Sequence, residues 1–415
     1  MRRTDAVRPA KALLAAVSAF SLACMPALAD APATATWIGG GDRAVVTDPA
    51  NWQCKDASGN VMEGAIPDAS ATAVSVTGET TFNFPAGQTA IWKSLSVSGT
   101  VTLAADCDWR GAGSLFGGFV AANTTLNMKG HSLYVKMPNG GSNRRINVTD
   151  DSPAGSGGQF HMEVDEGTQY GNNSGWNSDN VIWFSGSVEV VKDGKGTYVP
   201  NYANGATGMR YYQQTGGTRI HEGLVFLAND AEGTKNEAYY AQANRPVFGA
   251  NGSAITIEAG GTLDYKGIYD LHLYKMYING GTFTNTRMPK EPGWGSNGAI
   301  DFGADSFVNV ARTAHIGGPF HLHGHTLTAT IAANQIWHCR SGSAVDGTVK
   351  LAGDGVFQTY GAIDASTNAT YDVACALDIA QPIAVSNYVA RYEGDSNSGT
   401  AEFRVHGTFT PVCLS

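Results

Sequence analysis

Charge is what this chain has least of. Asp, Glu, Lys and Arg make up 15% of its 415 residues, against an average of about 25%, and the balance is acidic at −9. Without a basic patch there is nothing to release counterions from a polyanion, so nucleic acid and anionic membranes are not expected as partners. Helical periodicity is also missing beyond the first thirty residues. Cysteine is sparse, with 6 residues at wide spacings and no C-x-x-C pair, so a zinc site is not expected and no disulfide pairing is fixed. Phosphate-cradling loops, a G-x-S-x-G elbow, an H-E-x-x-H helix and a dinucleotide fingerprint are absent too.

The one long apolar run lies at the start. Arg2, Arg3, Arg8 and Lys11 precede the apolar stretch Ala12 to Cys24, and Ala27-Leu28-Ala29 supplies small residues at the −3 and −1 positions of a cleavage site. Residues 1–29 therefore read as a secretory signal peptide. Four basic residues and one acidic residue leave with it, so the exported part is more acidic still. No second apolar stretch follows, and no membrane-spanning segment is expected after signal removal. The expected location is extracellular or at a bacterial cell surface.

What is abundant is glycine, 52 residues, well above the average share of about 7%. Glycine at that level punctuates short elements and is costly in long helices. Between the glycines lie runs rich in Val, Ile, Thr, Phe and Tyr. Ala73 to Thr77, Ser94 to Leu103, Thr124 to Val135, Phe160 to Val164 and Val181 to Lys192 are examples; Ala254 to Leu263, Met276 to Thr284 and Thr348 to Thr359 follow. Many alternate polar with apolar, the mark of strands with one buried face.

The runs resemble one another. "GTVTL" (Gly99 to Leu103), "GGTLDY" (Gly260 to Tyr265), "GGTFTN" (Gly280 to Asn285) and "GTVKL" (Gly347 to Leu351) each place a glycine turn before Thr and an inward apolar residue. "LNMKGHSLYV" (Leu126 to Val135) and "FHLHGHTLTA" (Phe320 to Ala329) share a second design, two strands around a Gly-His corner, with Met128, Leu133, Leu322 and Leu327 inward. Strand-turn units recurring at irregular spacings predict an all-β fold, a right-handed parallel β-helix or β-solenoid, with a β-sandwich array as the competing architecture. Residues 30–60, with the aromatic segment Trp37 to Trp52, read as an N-terminal cap, and 61–415 as the solenoid repeats.

One stretch carries a family resemblance. "VVKDGKGTYV" (Val190 to Val199) and "GGTRIHEGLV" (Gly216 to Val225) resemble the passenger-associated repeat of bacterial autotransporters and related surface proteins. Lys192, Gly194, Gly196 and Thr197 match its first half. Gly216, Gly217, Thr218, Ile220, Gly223 and Val225 match its second. The resemblance implies a right-handed parallel β-helix displayed outside the cell. Physically, the glycines are expected to supply positive φ at coil corners, and Ile220 and Val225 to be core residues of successive strands. It departs from the family at Tyr198-Val199-Pro200 and in a long spacer, Asn201 to Thr215. The family's C-terminal barrel has no counterpart before "VHGTFTPVCLS" (Val405 to Ser415), so the C-terminus is expected to be truncated.

Three groups are candidates for chemistry. His315, His321, His323, His325 and His338 form a His-rich stretch in which His321 and His323 would share one strand face, yet corner and surface roles are expected rather than a metal set. His161, Glu163 and Asp165 alternate on one strand, with Glu166 beyond, and Asp150-Asp151 read as a loop pair; polysaccharide-cleaving families on this fold demand motifs that Gly130-His131-Ser132 and Arg219-Ile220-His221 do not complete. Tyr211-Tyr212, Tyr239-Tyr240, Trp176, Trp183 and Trp294 offer rings for sugar stacking. No catalytic residue, metal or cofactor is assigned. The expectation is a structural or adhesive passenger module that meets host or matrix glycans or proteins. A polysaccharide lyase or glycoside hydrolase is the first alternative, and a glycan-binding module the second.

Overall fold

Period-two alternation makes strands, and strands are nearly all the structure contains. The computed structural model describes residues 31–41, 48–67, 73–81, 83, 95–112, 120–141, 145–172, 182–200, 212–226, 248–264, 274–285, 299–339, 344–359, 369–373, 375–379 and 402–405. Among these residues the helical elements are two single 3-10 turns, Pro49–Asn51 and Arg110–Ala112. No helix among them is long and apolar enough to cross a membrane. The proposed signal peptide lies outside the described residues.

The strands join in a repeating order. Ile146–Asp150, Gln159–Glu163 and Gln169–Asn172 each enter a separate parallel ladder. The next three strands, Ile182–Gly186, Glu189–Asp193 and Thr197–Pro200, add to those ladders in the same order. Tyr212–Gln214 extends the first, and Thr218–Phe226 passes from the second into the third within one strand. A cycle of the same kind recurs later. Phe320–His321, Thr326–Ile331 and Ile336–Cys339 stack on Ile300–Ala304, Ser306–Val310 and Ala314–His315. Parallel neighbours need a long crossover, and here the two intervening strands supply it.

Register turns the alternation into continuous columns. Val135, Met162, Lys192, Ile220, Ile257, Ile278 and Phe302 lie opposite one another on successive strands. All seven are essentially without exposure, and six are apolar. Each apolar member contributes about 1.5–3 kcal/mol of burial, but only against its neighbours in the next strands. The residues that follow the Gly-Thr corners, Val101, Leu263, Phe283 and Val349, are buried as the repeats require. So are Met128, Leu133, Leu322 and Leu327 around the two Gly-His corners.

Some boundaries differ from the sequence reading. Val181 to Lys192 is two strands, Ile182–Gly186 and Glu189–Asp193, bent at the buried pair Ser187-Val188. Thr124 to Val135 divides into Thr124–Asn127 and Leu133–Lys136 on either side of its Gly-His corner, as the second repeat design requires. At the first bend Gly186, with φ +70°, ends the strand, and the buried Val188 continues the apolar pattern past it. At the N-terminal end, Thr34–Trp37 pairs antiparallel with Trp52–Lys55 and parallel with Ala73–Thr80. Trp37 and Trp52 meet edge to face with centroids 5.0 Å apart.

Candidate functional site

The outer side of the second ladder carries a groove of about 810 Å³, lined by side chains from five neighbouring strands and the turns beyond them. At its floor is Val191. Alternation points Val190 and Lys192 inward and Val191 outward, yet Val191 is only 1% exposed. Polar side chains from its own strand and three others close over it.

Those side chains form a circuit. Arg219 donates from Nη1 to Glu258 Oε1 at 2.5 Å and from Nε to Glu189 Oε1 at 3.0 Å. Glu189 Oε2 accepts from Gln159 Nε2 at 2.6 Å, and Gln159 Oε1 lies 3.1 Å from His161 Nε2. His161 Nδ1 meets Asp193 Oδ2 at 2.6 Å, and the other oxygen of Asp193 meets His221 Nδ1 at 2.7 Å. His221 Nε2 is 4.0 Å from Glu258 Oε2, beyond hydrogen-bond reach, so the chain of hydrogen bonds runs from Glu258 round to His221 without closing. Register explains the assembly: His161, Val191 and Arg219 are direct neighbours on successive strands, and Glu163 lies beside Asp193.

Electrostatics follow from the contacts. Burial works to raise the Asp193 carboxyl, but hydrogen bonds from His161 and His221 outweigh it and hold the group below the usual carboxylate range. Burial likewise opposes the Arg219 charge, and Glu258 and Glu189 more than restore it. Next to the ring, Tyr134 stacks on His161 with centroids 4.0 Å apart. Arg110 lies over the same tyrosine at 5.3 Å and is itself fixed by Asp108 and Glu163. Lys136 takes Asp165 at 2.7 Å. The Tyr134 ring thus already has an imidazole and a guanidinium against it.

Directly beneath lies the feature that carried the family resemblance. Lys192 points into the core and donates from Nζ to the carbonyls of Asp193 at 2.9 Å, Gly194 at 2.6 Å and Glu222 at 2.8 Å. Burial pulls this amine down to about 8, against the opposing pull of Asp193 and Glu222. Gly223, with φ +78°, leaves room for it. A β-carbon there would sit 2.4 Å from the Gly194 carbonyl, 2.6 Å from that of Gly196 and 2.8 Å from Lys192 Nζ.

The other motif residues gather at the bends on either side. Thr197 pairs with Leu224, and Val225 stands opposite Tyr198 in the third ladder. Ile220 is the neighbour of Lys192 in the inner column. Gly216, Gly217 and Thr218 make the bend from the first ladder into the second, where Thr218 Oγ1 donates to the Phe248 carbonyl at 2.9 Å. Ile220 and Val225, expected in successive strands, share the strand Thr218–Phe226 on either side of its register shift.

The remaining candidates fall elsewhere. His323 does not share a strand face with His321; it stands in the following turn at φ +50°, because the strand ends at His321. Both rings meet Asp301 Oδ1, at 3.1 Å and 3.2 Å. Among the described residues no three His, Cys, Asp or Glu side chains converge in a way that could hold a metal ion. Asp150 is not a loop partner of Asp151. It ends a strand, buried, and its carboxylate accepts from the backbone of Gly130, Ser152 and Gly158, which holds it below its ordinary range against the cost of burial. Trp183 lies under the Arg145 guanidinium at 4.0 Å, and Tyr212 is buried. Trp176, Tyr211, Tyr239, Tyr240 and Trp294 lie outside the described residues.

Sequence reading found His161 and Glu163 on one face and named Arg219 and His221, but missed Gln159, Glu189, Asp193 and Glu258 as their partners. The missing signal is register, which joins residues 28 to 39 positions apart on neighbouring parallel strands. Against known proteins, no family model, no curated protein and no solved structure matches the chain.

Proposed function

We propose that the chain is an exported surface or secreted module, a right-handed parallel β-helix capped by its N-terminal hairpin. In this reading the groove over Val191 binds a polar polymer of a host or matrix surface, a glycan or an extended protein segment, without cleaving it. The fold part rests on the recurring three-strand order and on the strong preference of parallel crossovers for the right hand. Display outside the cell rests on the leader and on the autotransporter-like repeat from Val190 to Val225.

The observation that carries the binding role is the continuous chain of paired side chains, from Glu258 through Arg219, Glu189, Gln159, His161 and Asp193 to His221, in an open groove. Glycosidic cleavage needs one carboxyl kept protonated and another free to attack or to activate water. Here Asp193 is held in the opposite direction, and Glu258, Glu189 and Glu163 are each engaged by an arginine. Such a surface is rigid and offers hydrogen-bonding edges at fixed spacing, which suits recognition.

The test pairs binding with turnover. Purified protein is expected to bind immobilised host or matrix glycans or proteins, and Arg219→Ala, which interrupts the circuit, to weaken that binding about tenfold or more. No reducing ends or unsaturated products are expected from a polysaccharide panel. Product release would make the protein a lyase or hydrolase, and binding unaffected by Arg219→Ala would move the site elsewhere.

A further inference from the structure

The groove over Val191 is lopsided in what its own contacts leave unused. Six carboxylates line it, Glu163, Asp165, Glu166, Asp193, Glu222 and Glu258, against three cations, Arg110, Lys195 and Arg219. Both arginines are already engaged, Arg110 by Asp108 and Glu163, and Arg219 by Glu189 and Glu258. Nearby, Lys136 is held by Asp165, and the buried Lys192 gives its hydrogens to backbone carbonyls. Lys195, exposed in the turn after Asp193, is the one cation of the lining outside an ion pair among the described residues. Acceptors are left over instead. No hydrogen bond or ion pair engages the carboxylates of Glu166 and Glu222 among the described residues. Arg219 bonds to Oε1 of Glu258, and its Oε2 lies 4.0 Å from His221 Nε2, beyond hydrogen-bond reach. An ionised carboxylate only accepts, so the spare capacity of the groove is for donors, under an excess of negative charge.

We propose that the groove takes an extended, lysine-rich protein segment and rejects acidic polymers. The inference rests on the binding role given above and names its ligand class. Each arriving ammonium supplies up to three hydrogens to carboxylate oxygens and brings the opposite charge. A carboxylated or sulfated chain meets like charge instead, and among the lining cations only Lys195 is unpaired. Protein is favoured over an amino-sugar polymer by the scarcity of rings. Tyr134 is the one Phe, Tyr or Trp of the lining, and His161 stacks on one of its faces. A sugar is thus offered at most one ring face, whereas an ammonium is offered six carboxylates.

Calorimetric titration with a Lys-Ser repeat peptide, and with the same peptide acetylated at every lysine, tests the proposal. At low salt the native protein is expected to bind the lysine peptide about tenfold tighter or more than its acetylated twin, with the affinity falling as salt rises to ~150 mM. Glu166→Gln combined with Glu222→Gln removes two carboxylates outside the hydrogen-bonded chain and is expected to lose about fivefold or more, with the circular dichroism unchanged. Glu63→Gln combined with Glu79→Gln, on exposed carboxylates near the N-terminal end, is expected to lose less than about twofold. Equal losses in the two double variants would reduce the effect to the net charge of the chain and overturn the proposal. Equal affinity for the acetylated peptide, or tighter binding of a glucosamine oligomer than of the lysine peptide, would overturn it too. Binding of polyglutamate or a neutral glycan in preference, lost in Arg219→Ala, would contradict this ligand class and uphold the groove as a binding site. Failure of every probe to bind would count against both.

Discussion

Lys192 shows how one side chain does two kinds of work. It occupies a column that is otherwise Val, Met, Ile and Phe, and its ammonium supplies hydrogens to the carbonyls of Asp193, Gly194 and Glu222, the first of which also accepts from the Val164 amide at 3.0 Å. Lys192→Met matches the column in shape and removes these three charge-assisted hydrogen bonds. A loss of about 2–4 kcal/mol is expected in denaturant unfolding. Its pH dependence has a definite sign. The amine is pulled down to about 8 in the fold from the ordinary 10.5, so between those values the unfolded chain binds more protons and stability rises with pH. Native protein should therefore gain on Lys192→Met from pH ~8 to pH ~10.5, and a difference that stays flat across that window contradicts the assignment. Asp193 has the opposite limb. Its pKa is depressed in the fold, so its contribution is present above the unfolded value and fades as pH falls through the folded one. Asp193→Asn is expected to cost about 1–3 kcal/mol at neutral pH and to flatten acid unfolding, followed by circular dichroism against pH.

At the scale of the element, strands were legible because alternation with glycine punctuation is a strong local signal. Ala73–Thr80, Leu95–Leu103 and Ala254–Asp264 lie where the pattern put them. The bend at Gly186-Ser187-Val188 was read as part of one run, because the buried Val188 continues the apolar pattern past the glycine. The candidate site was legible only in fragments. His161 with Glu163 and Arg219 with His221 are neighbours along the chain, whereas their partners Glu189, Asp193 and Glu258 arrive from other coils through register. Two element-level outcomes follow. Gly223→Ala forces a β-carbon into the Gly194 and Gly196 carbonyls at φ +78°, and should cost more than about 2 kcal/mol, read as a lowered midpoint in chemical denaturation. Trp52→Ala removes the edge-to-face partner of Trp37 in the one antiparallel pair among the described strands. It should loosen the hairpin at the end of the first ladder and increase self-association by sedimentation, because an uncovered parallel edge invites further strands.

For the whole molecule, stacking is what links the scales. Each strand of the second ladder buries its column residue against the strands before and after it, so the polar circuit over Val191 and the lysine beneath it act as ties between successive parallel strands. Small-angle X-ray scattering of residues 30–415 tests the proposed coil-stacked architecture most directly. A rod of constant cross-section is predicted, its length growing by about 4.8 Å per coil, the spacing of hydrogen-bonded strands. A profile fitted by a compact sphere of the same mass would contradict it.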